Sequence, residues 1–422
     1  MPSPVDSLQR KFDRRNYSLN LLEGVLFISS SAFLSFQIVL PALVVRLGGG
    51  NLVVGSLPII VYAGLFLPQI FAARYVETLA WKKPWALRQG LLQRLALPLI
   101  AFAVLALGEK SPDNALAGLL ILYFVMQVLS GITTPGWYDF YAKVPPLQKR
   151  GRLSGQRTSL GSLTAFLCGF MLTFFLARFA FPFSYVVGFG VAFLLQMLSL
   201  LTQSFVVEAE PSIAAERRHV LAYLRQLPEV FRANHEFRRF IVSAIFLIVG
   251  NMPIGFFTVY ALKRFSADES IVGEFTLAMM SMQVLSGLVT GVIVDRYGNK
   301  VALVLAAAGM LLASLWALLA PSVGWFRLVF LFVGFNAGTE LMARYNMSAE
   351  YGPGEQRSTY IALMNTIFAP IYLSSLLGGW ISDRFGYPSL FGVSIVFSLI
   401  GLSLLVWKVK EPRHLDPVVR GG

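Results

Sequence analysis

The chain has 422 residues, of which 56% are hydrophobic and 14% are charged, whereas about 25% of an average soluble domain is charged. So few charges, together with a mean hydropathy of +0.66, exclude a soluble globular protein. The single cysteine, Cys168, excludes disulfides and Cys-rich metal sites, and the three histidines all lie in polar segments. The sequence therefore predicts a membrane protein with no metal and no cofactor.

Apolar stretches long enough to cross a membrane recur twelve times along the chain. A transmembrane helix needs about 20 predominantly apolar residues. The stretches lie at approximately 19–45, 52–73, 89–107, 115–141, 156–177, 182–207, 238–262, 270–294, 300–320, 325–347, 358–382 and 387–407. The predicted fold class is therefore an all-α polytopic membrane protein with twelve transmembrane helices.

Basic residues are concentrated on one side of the predicted bundle. With the N-terminus in the cytoplasm, the cytoplasmic segments contain 26 of the 35 Lys and Arg residues, and the opposite loops contain 7. Cytoplasmic segments of membrane proteins carry such an excess. We therefore predict a multi-pass protein of the inner (cytoplasmic) membrane with both termini in the cytoplasm. The net charge of +13 is interpreted as an orientation signal that also contacts membrane lipid, and not as a nucleic-acid-binding surface.

The longest internal polar segment, 208–237, divides the twelve stretches into six and six. Its apolar residues recur at helical spacing, at Leu221, Leu224, Leu227 and Phe231. This spacing predicts an amphipathic helix that lies along the cytoplasmic face. We therefore divide the chain into an N-terminal six-helix half, 1–207, this cytoplasmic linker, and a C-terminal six-helix half, 238–422.

The two halves repeat each other weakly. The segment Pro146-Leu-Gln-Lys-Arg150 follows the fourth stretch, and Pro353-Gly-Glu-Gln-Arg357 follows the tenth. A shift of 207 residues also superimposes Gly131 on Gly338. Together with the six-plus-six hydropathy, these echoes predict two halves related by a pseudo-two-fold parallel repeat.

The loop after the eighth stretch carries a motif. It reads Gly291-Val-Ile-Val-Asp295-Arg296-Tyr-Gly298-Asn-Lys300, and it resembles the signature loop of the Major Facilitator Superfamily, G-x-x-x-D-R-x-G-x-K/R. Glycines permit close helix contact and a tight turn, and Asp295 is placed to cap a helix or pair with a base. The resemblance implies that Gly291, Asp295, Arg296, Gly298 and Lys300 form a latch of the outward-facing state. A simple turn with a charge pair is the alternative.

The tenth stretch contains the candidate coupling site. Asn336, Glu340 and Arg344 are spaced four residues apart, on one helix face. A charged residue at the centre of a membrane helix costs about 2.5–3.5 kcal/mol on insertion scales, so such residues are functional candidates. One interpretation is a cavity carboxylate that binds a proton or a cationic group, with Arg344 tuning it. The other is an internal ion pair that locks the helix against a neighbour.

Uncharged polar residues supply further candidate substrate contacts. The superfamily resemblance implies that stretches 1, 4, 7 and 10 line a central cavity, which favours Gln37, Gln127 and Asn251. Each of these side chains is equally suited to an interhelical hydrogen bond.

Charged residues near the ends of the first-half stretches predict a gate. Asp139 ends the fourth stretch, and basic residues including Arg150 and Arg157 follow it, which favours a salt bridge at the inner gate. Arg357 repeats the position of Arg150 in the second half. Glu23, about one turn into the first stretch, either pairs with a nearby base or faces the cavity. Arg94 is expected to extend to the cytoplasmic interface.

Sequence signatures of enzymes are absent. The chain contains no G-x-x-x-x-G-K-S/T, no Gly-x-Ser-x-Gly and no His-Glu-x-x-His, so we predict that it is not an enzyme. The resemblance implies a monomeric secondary transporter that moves a small organic solute by alternating access. Protons are the predicted coupling ion, because carboxylates are the titratable groups nearest the cavity. A non-transporting receptor or sensor, or a membrane-embedded enzyme on the same scaffold, is the alternative.

Overall fold

The computed structural model describes residues 4–143, 147–208, 211–212, 231–232, 234–352 and 357–414. The regular secondary structure of these residues is helical. In chain order the α-helices are α1 (Pro4–Ser29), α2 (Val39–Arg46), α3 (Asn51–Glu77), α4 (Lys83–Leu107), α5 (Pro112–Lys143), α6 (Leu147–Arg178), α7 (Phe183–Ser204), α8 (His235–Gly250), α9 (Phe256–Phe265), α10 (Ile271–Tyr297), α11 (Asn299–Leu319), α12 (Val323–Tyr351), α13 (Arg357–Ile371), α14 (Ser374–Phe385) and α15 (Tyr387–Trp407).

The predicted fold class is confirmed. Across the described residues, ten helical segments are long and apolar enough to cross a membrane. They correspond to ten of the twelve predicted stretches, and α13 and α14 together form one of them. The two remaining stretches, the first and the seventh, are each divided between two helices.

Three consecutive serines interrupt the first stretch. The hydroxyls of Ser29, Ser30 and Ser31 donate to the carbonyls of Val25, Phe27 and Ile28, at 2.6, 2.7 and 2.7 Å. Such bonds compete with the helical backbone pattern, and the chain tightens into a 3₁₀ turn over Ser30–Phe33 before α2 begins. The first predicted stretch, 19–45, is therefore divided between α1, this 3₁₀ turn and α2.

The seventh stretch is interrupted at Gly250, where α8 ends. Pro253 lies in the turn that follows, and a proline restricts its own backbone and that of the preceding residue. The Gly250 carbonyl accepts a hydrogen bond from the Ser394 hydroxyl at 2.5 Å. A side chain at Gly250 would overlap Ser398, so the end of α8 lies directly on α15. The seventh predicted stretch, 238–262, is therefore divided between α8 and α9.

The chain packs into two units. The first comprises 1–35, 46–48 and 60–217, and the second comprises 36–45, 49–59 and 218–422. The division lies within the linker predicted at 208–237, but two short segments of the N-terminal half pack within the second unit. Most of that linker, including its predicted amphipathic helix, lies outside the described residues.

In the first unit, a glutamate from the end of the sixth stretch caps a helix. The Glu208 carboxylate accepts the backbone N–H groups of Lys82 and Lys83 at 2.9–3.1 Å, at the start of α4. An acidic group at a helix N-terminus satisfies unpaired N–H groups and interacts favourably with the helix dipole. Gly131 of α5 lies against the backbone carbonyls of Gly64 and Leu65 in α3.

The second unit contains an equivalent glutamate cap and an equivalent glycine contact. Glu411, which follows α15, accepts the backbone N–H of Lys300 at 2.8 Å, at the start of α11. Gly338 of α12 lies against Ser286 of α10, just as Gly131 lies against α3 in the first unit. The glycine pair that the sequence superimposes therefore has equivalent packing roles in the two units.

The segment 49–59 is held in the second unit by polar contacts. Asn51 Nδ2 donates to Asp383 Oδ1 at 2.7 Å, and Tyr387 Oη donates to Asn51 Oδ1 at 2.6 Å. The Ser375 hydroxyl donates to the Gly55 carbonyl at 2.6 Å. These bonds attach the start of α3 to α14 and α15.

Candidate functional site

A cavity of about 460 Å³ lies inside the first unit. Six helices supply its wall, which combines charged, polar and aromatic side chains. The lining residues are Glu23, Phe27, Ile28, Leu65, Gln93, Arg94, Gln127, Ser130, Thr133, Thr134, Trp137, Tyr138, Tyr141, Ser154, Arg157, Thr158 and Gln203. Among them Glu23, Arg94 and Arg157 carry the charges, and their geometry determines what the cavity is able to bind.

Glu23 of α1 and Arg157 of α6 form a buried ion pair. Glu23 Oε2 lies 2.5 Å from Arg157 Nη1, and the two side chains are 4% and 9% exposed. The Ser199 hydroxyl of α7 donates to the other carboxylate oxygen at 3.4 Å. Of the two possibilities that the sequence leaves open for Glu23, the structure therefore combines both: it faces the cavity and it is paired with a base.

Arg157 is held in place by more than its carboxylate partner. Its Nη1 also donates to the Asn20 carbonyl. Its Cζ lies 5.1 Å from the centre of the Trp137 ring and 5.0 Å from that of the Tyr141 ring, which is cation–π distance. A Cβ at Gly24 would overlap the guanidinium, so this position of Arg157 requires a glycine in α1.

Arg94 of α4 is buried in the same wall and is only 4% exposed. Its Nε donates to the Gln196 carbonyl at 2.7 Å, and its Nη1 donates to the Gly90 carbonyl at 2.8 Å. The expectation that Arg94 extends to the cytoplasmic interface is wrong, because these carbonyls bind the guanidinium between α4 and α7.

The lining of the cavity carries a net positive charge. Arg94 and Arg157 contribute two positive charges and Glu23 contributes one negative charge. The hydrogen-bond partners of Arg94 named above are neutral carbonyls, so they do not cancel its charge. A guanidinium binds carboxylate through paired charge-assisted hydrogen bonds. The cavity is therefore suited to a small organic anion.

Gln127, a predicted substrate contact, lies in the cavity wall. The buried Tyr123 lies one turn earlier on α5. Gly64 of α3 lies directly against its Cβ. Gln127 thus combines an interhelical packing position with access to the cavity.

Glu340 and Arg344 form an ion pair within α12, in the second unit. Glu340 Oε1 lies 3.1 Å from Arg344 Nη1, and the two side chains are 20% and 4% exposed. Arg344 Nη2 also donates to Tyr372 Oη at 3.1 Å, and its Cζ lies 5.2 Å from the centre of the Phe368 ring. The arginine therefore links α12 to the end of α13 whether or not the carboxylate is charged.

Asn336, the third candidate on α12, faces a different neighbour. Its Nδ2 donates to the Ala306 carbonyl of α11 at 3.0 Å, and the side chain is buried. Four-residue steps exceed the helical repeat of 3.6, so each step rotates by about 40° around the axis. In this structure Asn336 thus contributes to the packing of α12 on α11, and its role in a coupling site with Glu340 and Arg344 stays a prediction.

The superfamily-like loop forms a tight turn between α10 and α11. Gly298 has a φ of +88°, and a Cβ there would overlap the Glu411 carboxylate, so the turn requires a glycine. Lys300 Nζ donates to the Val406 carbonyl at 2.8 Å. These two residues contact the segment around the end of α15.

Other residues of the loop are exposed. Asp295 and Arg296 lie on the surface of the second unit. A Cβ at Gly291 would meet nothing within 4 Å among the described residues, so the expectation that this glycine permits close helix contact is wrong. The latch role of the loop stays a prediction. Within the second unit the loop is bonded through Lys300, through the Asn299 side chain, which donates to Glu350, and through the Val294 carbonyl, which accepts from Arg413.

Two candidate substrate contacts lie where helices are interrupted. Asn251 ends α8, and its backbone N–H donates to the Leu247 and Ile248 carbonyls. Gln37 precedes α2 in a segment of the second unit, and its carbonyl accepts the Thr258 hydroxyl at 3.3 Å. Their role as substrate contacts stays a prediction.

The predicted inner gate is only partly described. Asp139 is exposed on α5, and Arg157 pairs with Glu23. The side chains of Arg150 and Arg357 lie outside the described residues. The gate roles of Asp139, Arg150 and Arg357 stay predictions.

Arg157 is the residue whose position sequence analysis missed. The sequence predicts Arg157 among the bases of an inner gate, at the start of the fifth stretch (156–177), but α6 already begins at Leu147. Ten residues of helix place Arg157 about 15 Å from that start. The polar residues around Arg157 obscure the helical pattern of this segment in the sequence. The available signal is the pair Trp137 and Tyr141, four residues apart on α5, because these two rings form the aromatic surface that Arg157 contacts. The described residues contain no cluster of His, Cys, Asp and Glu suited to a metal ion.

Known proteins resemble this chain in sequence and in fold. The model of the Major Facilitator Superfamily matches residues 239–422. The 4-hydroxybenzoate transporter PcaK of Pseudomonas aeruginosa is 26% identical over 223 residues, which cover 50% of this chain and 48% of that protein. The cis,cis-muconate transport protein of Acinetobacter baylyi is 26% identical over 148 residues, which cover 35% of each. The chain thus matches about half or less of the length of these relatives.

The fold agrees with solved structures over nearly the whole chain. The crystal structure of a D-xylose-proton symporter superimposes with a TM-score of 0.68, covering 94% of this chain and 98% of the other at 16% identity. The family model and the fold agree with what the loop at 291–300 predicts. This chain is a multi-pass membrane protein whose residues 239–422 match the model of the Major Facilitator Superfamily and whose fold is similar to that of a solved transporter.

Proposed function

We propose that this chain is a secondary transporter that moves a small organic anion across the inner membrane by alternating access, coupled to protons. The observation that carries the proposal is the Glu23–Arg157 pair in the wall of a cavity that also contains Arg94. A buried ionisable group inside a membrane protein is costly, and such groups typically mark ion or substrate pathways. The protein acts as a monomer with both termini in the cytoplasm.

The coupling follows from competition for one guanidinium. When Glu23 is ionised, it occupies Arg157 Nη1 at 2.5 Å. When a proton binds Glu23, the carboxylic acid no longer competes, and a substrate carboxylate takes its place on Arg157. Proton and anion therefore enter together, which makes the transport a symport that is electroneutral for a monoanion.

The relatives support an anionic substrate. The names of two of them specify 4-hydroxybenzoate and cis,cis-muconate, which are both carboxylates. The aromatic rings around Arg157 add a surface on which an organic anion is able to pack. A neutral sugar would bring no negative charge to offset the excess positive charge of the cavity lining.

A second carboxylate is a candidate coupling site. Glu340 in α12 is 20% exposed, so it is more accessible to protons than Glu23. In this version the Glu340–Arg344 pair binds the coupling proton and Glu23 only orients Arg157. The two versions differ in which glutamate is required for accumulation against a gradient.

Uptake by purified protein in lipid vesicles tests the proposal. We expect an inward proton gradient to drive accumulation of 4-hydroxybenzoate, and Glu23→Gln to abolish accumulation while exchange of labelled for unlabelled substrate continues. Glu23→Gln should fold, because Arg157 keeps the Asn20 carbonyl and its two aromatic contacts. Accumulation that survives Glu23→Gln but not Glu340→Gln would transfer the coupling role to Glu340. Binding without flux would identify a receptor or sensor.

A further inference from the structure

One face of α5 crosses the cavity as a continuous stripe. Gln127, Ser130, Thr134, Trp137 and Tyr141 all line the cavity. Their spacing of 3, 4, 3 and 4 residues places them on one side of a helix. The stripe changes character along its length, from an amide through two hydroxyls to two aromatic rings.

Arg157 of α6 lies beside one end of the stripe, and the hydroxyl part of the stripe lies at a defined distance from it along α5. The Arg157 guanidinium lies about 5 Å from both aromatic rings, so it is level with the turn between Trp137 and Tyr141. At 1.5 Å per residue, Thr134 lies about 7 Å and Ser130 about 13 Å from that level along the helix. The distance from Arg157 to these hydroxyls fits a molecule with one aromatic ring. Such a molecule carries polar substituents at opposite ends of the ring and makes a hydrogen bond at each end.

The two hydroxyls have already used their hydrogen atoms. Thr134 Oγ1 donates to the Ser130 carbonyl at 2.7 Å, and Ser130 Oγ donates to the Met126 carbonyl at 2.9 Å. A hydroxyl has one hydrogen to donate and two lone pairs that accept. Both side chains therefore present acceptors to the cavity.

We infer that the hydroxyls of Ser130 and Thr134 select a solute with a hydrogen-bond donor at the end opposite its carboxylate, and that the substrate is a hydroxy-substituted aromatic monocarboxylate. The carboxylate binds Arg157, the ring packs near Trp137 and Tyr141, and the substrate hydroxyl donates to Ser130 or Thr134. A second carboxylate in that position would face acceptor oxygens, and an ether would supply no hydrogen. This inference rests on the proposed function and specifies its substrate.

Binding of four para-substituted benzoates to the purified full-length protein tests the inference. We expect 4-hydroxybenzoate to bind roughly 3- to 10-fold more tightly than benzoate and 4-methoxybenzoate, the range of one net hydrogen bond. Terephthalate, with a second carboxylate, should bind more weakly than all three. Isothermal titration of each compound supplies the ratios.

Variants of the stripe separate recognition from general effects on folding. Ser130→Ala combined with Thr134→Val should reduce the hydroxy-to-methoxy ratio to below about 2-fold, whereas Thr134→Ser should preserve it. The matched control is Thr173→Val in α6, because Thr173 Oγ1 also donates to its own helix, at 2.9 Å to the Gly169 carbonyl, but does not line the cavity. This control should leave the ratio unchanged.

The outcomes distinguish this inference from the proposed function. Equal affinities across the benzoate series, with binding still lost in Arg157→Gln, would overturn the donor selection and leave the anion transporter intact. Binding of lactate but of no benzoate would overturn the aromatic substrate and again leave the transporter intact. Failure of all of these carboxylates to bind or to be taken up would overturn both.

Discussion

The Glu23–Arg157 pair of the first unit and the Glu340–Arg344 pair of the second are built differently. The first joins two helices, α1 and α6, with both side chains less than 10% exposed. The second joins successive turns of α12, with a carboxylate that is 20% exposed. A pair within one helix persists when helices move relative to one another, whereas a pair between helices depends on their packing.

Both arginines have partners besides their glutamates, and the two glutamates differ more than the arginines do. Arg344 also binds Tyr372 and lies on Phe368, so its position does not depend on Glu340 alone. Glu23 depends mainly on Arg157, since its second contact, to the Ser199 hydroxyl, is 3.4 Å long. The comparison predicts that the first pair responds to a substrate or to helix movement, and that the second pair, formed within one helix, responds less to either.

The largest effect is expected from Arg157→Gln. Removing one partner of a buried ion pair typically costs about 3–5 kcal/mol, because the other charge is left uncompensated. We expect a loss of unfolding free energy in that range, together with loss of anion binding. Chemical denaturation of the detergent-solubilised protein measures the first, and Glu23→Gln/Arg157→Gln should recover most of it. A fully stable Arg157→Gln protein would show that the Glu23–Arg157 pair contributes no more to stability than the Glu340–Arg344 pair.

Gly24→Ala should have the next largest effect. Its new methyl group would overlap the Arg157 guanidinium, and overpacking typically costs about 1–3 kcal/mol. We expect lower stability and weaker binding of 4-hydroxybenzoate, measured by thermal unfolding and titration. The matched control is Gly155→Ala in α6, where a Cβ meets nothing within 4 Å among the described residues. Equal effects of the two substitutions would contradict the close fit at Gly24.

Glu340→Gln should cost about 1 kcal/mol or less, close to the value of a local, partly exposed pair. Arg344 keeps its contacts with Tyr372 and Phe368, so the helix stays attached to its neighbour. Denaturation and proton-driven uptake should both remain near wild type. A loss of stability as large as that of Arg157→Gln would show that both pairs are structural locks, and a selective loss of accumulation would assign coupling to Glu340.

The smallest effect is expected from Asp295→Asn. Asp295 is exposed, and substitutions of exposed residues usually change stability by about 0.5 kcal/mol or less. Glu411→Gln is the contrasting variant, because it weakens the cap on α11 and should cost about 1 kcal/mol. Thermal unfolding compares the two, and spectroscopic distances across the gates measure conformer populations. A shift of those populations by Asp295→Asn at unchanged stability would support the latch predicted for this loop.

Several features of this protein follow from its sequence alone because they depend on local chemistry. Apolar stretches of about 20 residues specify membrane-crossing helices, since the bilayer core must be spanned by a backbone that satisfies its own hydrogen bonds. The Glu340–Arg344 pair follows from four-residue spacing, which brings side chains together on any helix. The glycine at 298 follows from the turn that the loop motif requires.

Only the tertiary structure decided which helices meet and what lies between them. Nothing in the spacing of Glu23 and Arg157 connects them, because their contact depends on how α1 packs against α6 over Gly24. Likewise, Asn336 shares a predicted face with Glu340 but bonds to α11, because a rotation of about 40° per four-residue step brings it to another neighbour. The cavity and its two arginines are therefore products of packing, since a site between helices exists only once its walls are brought together.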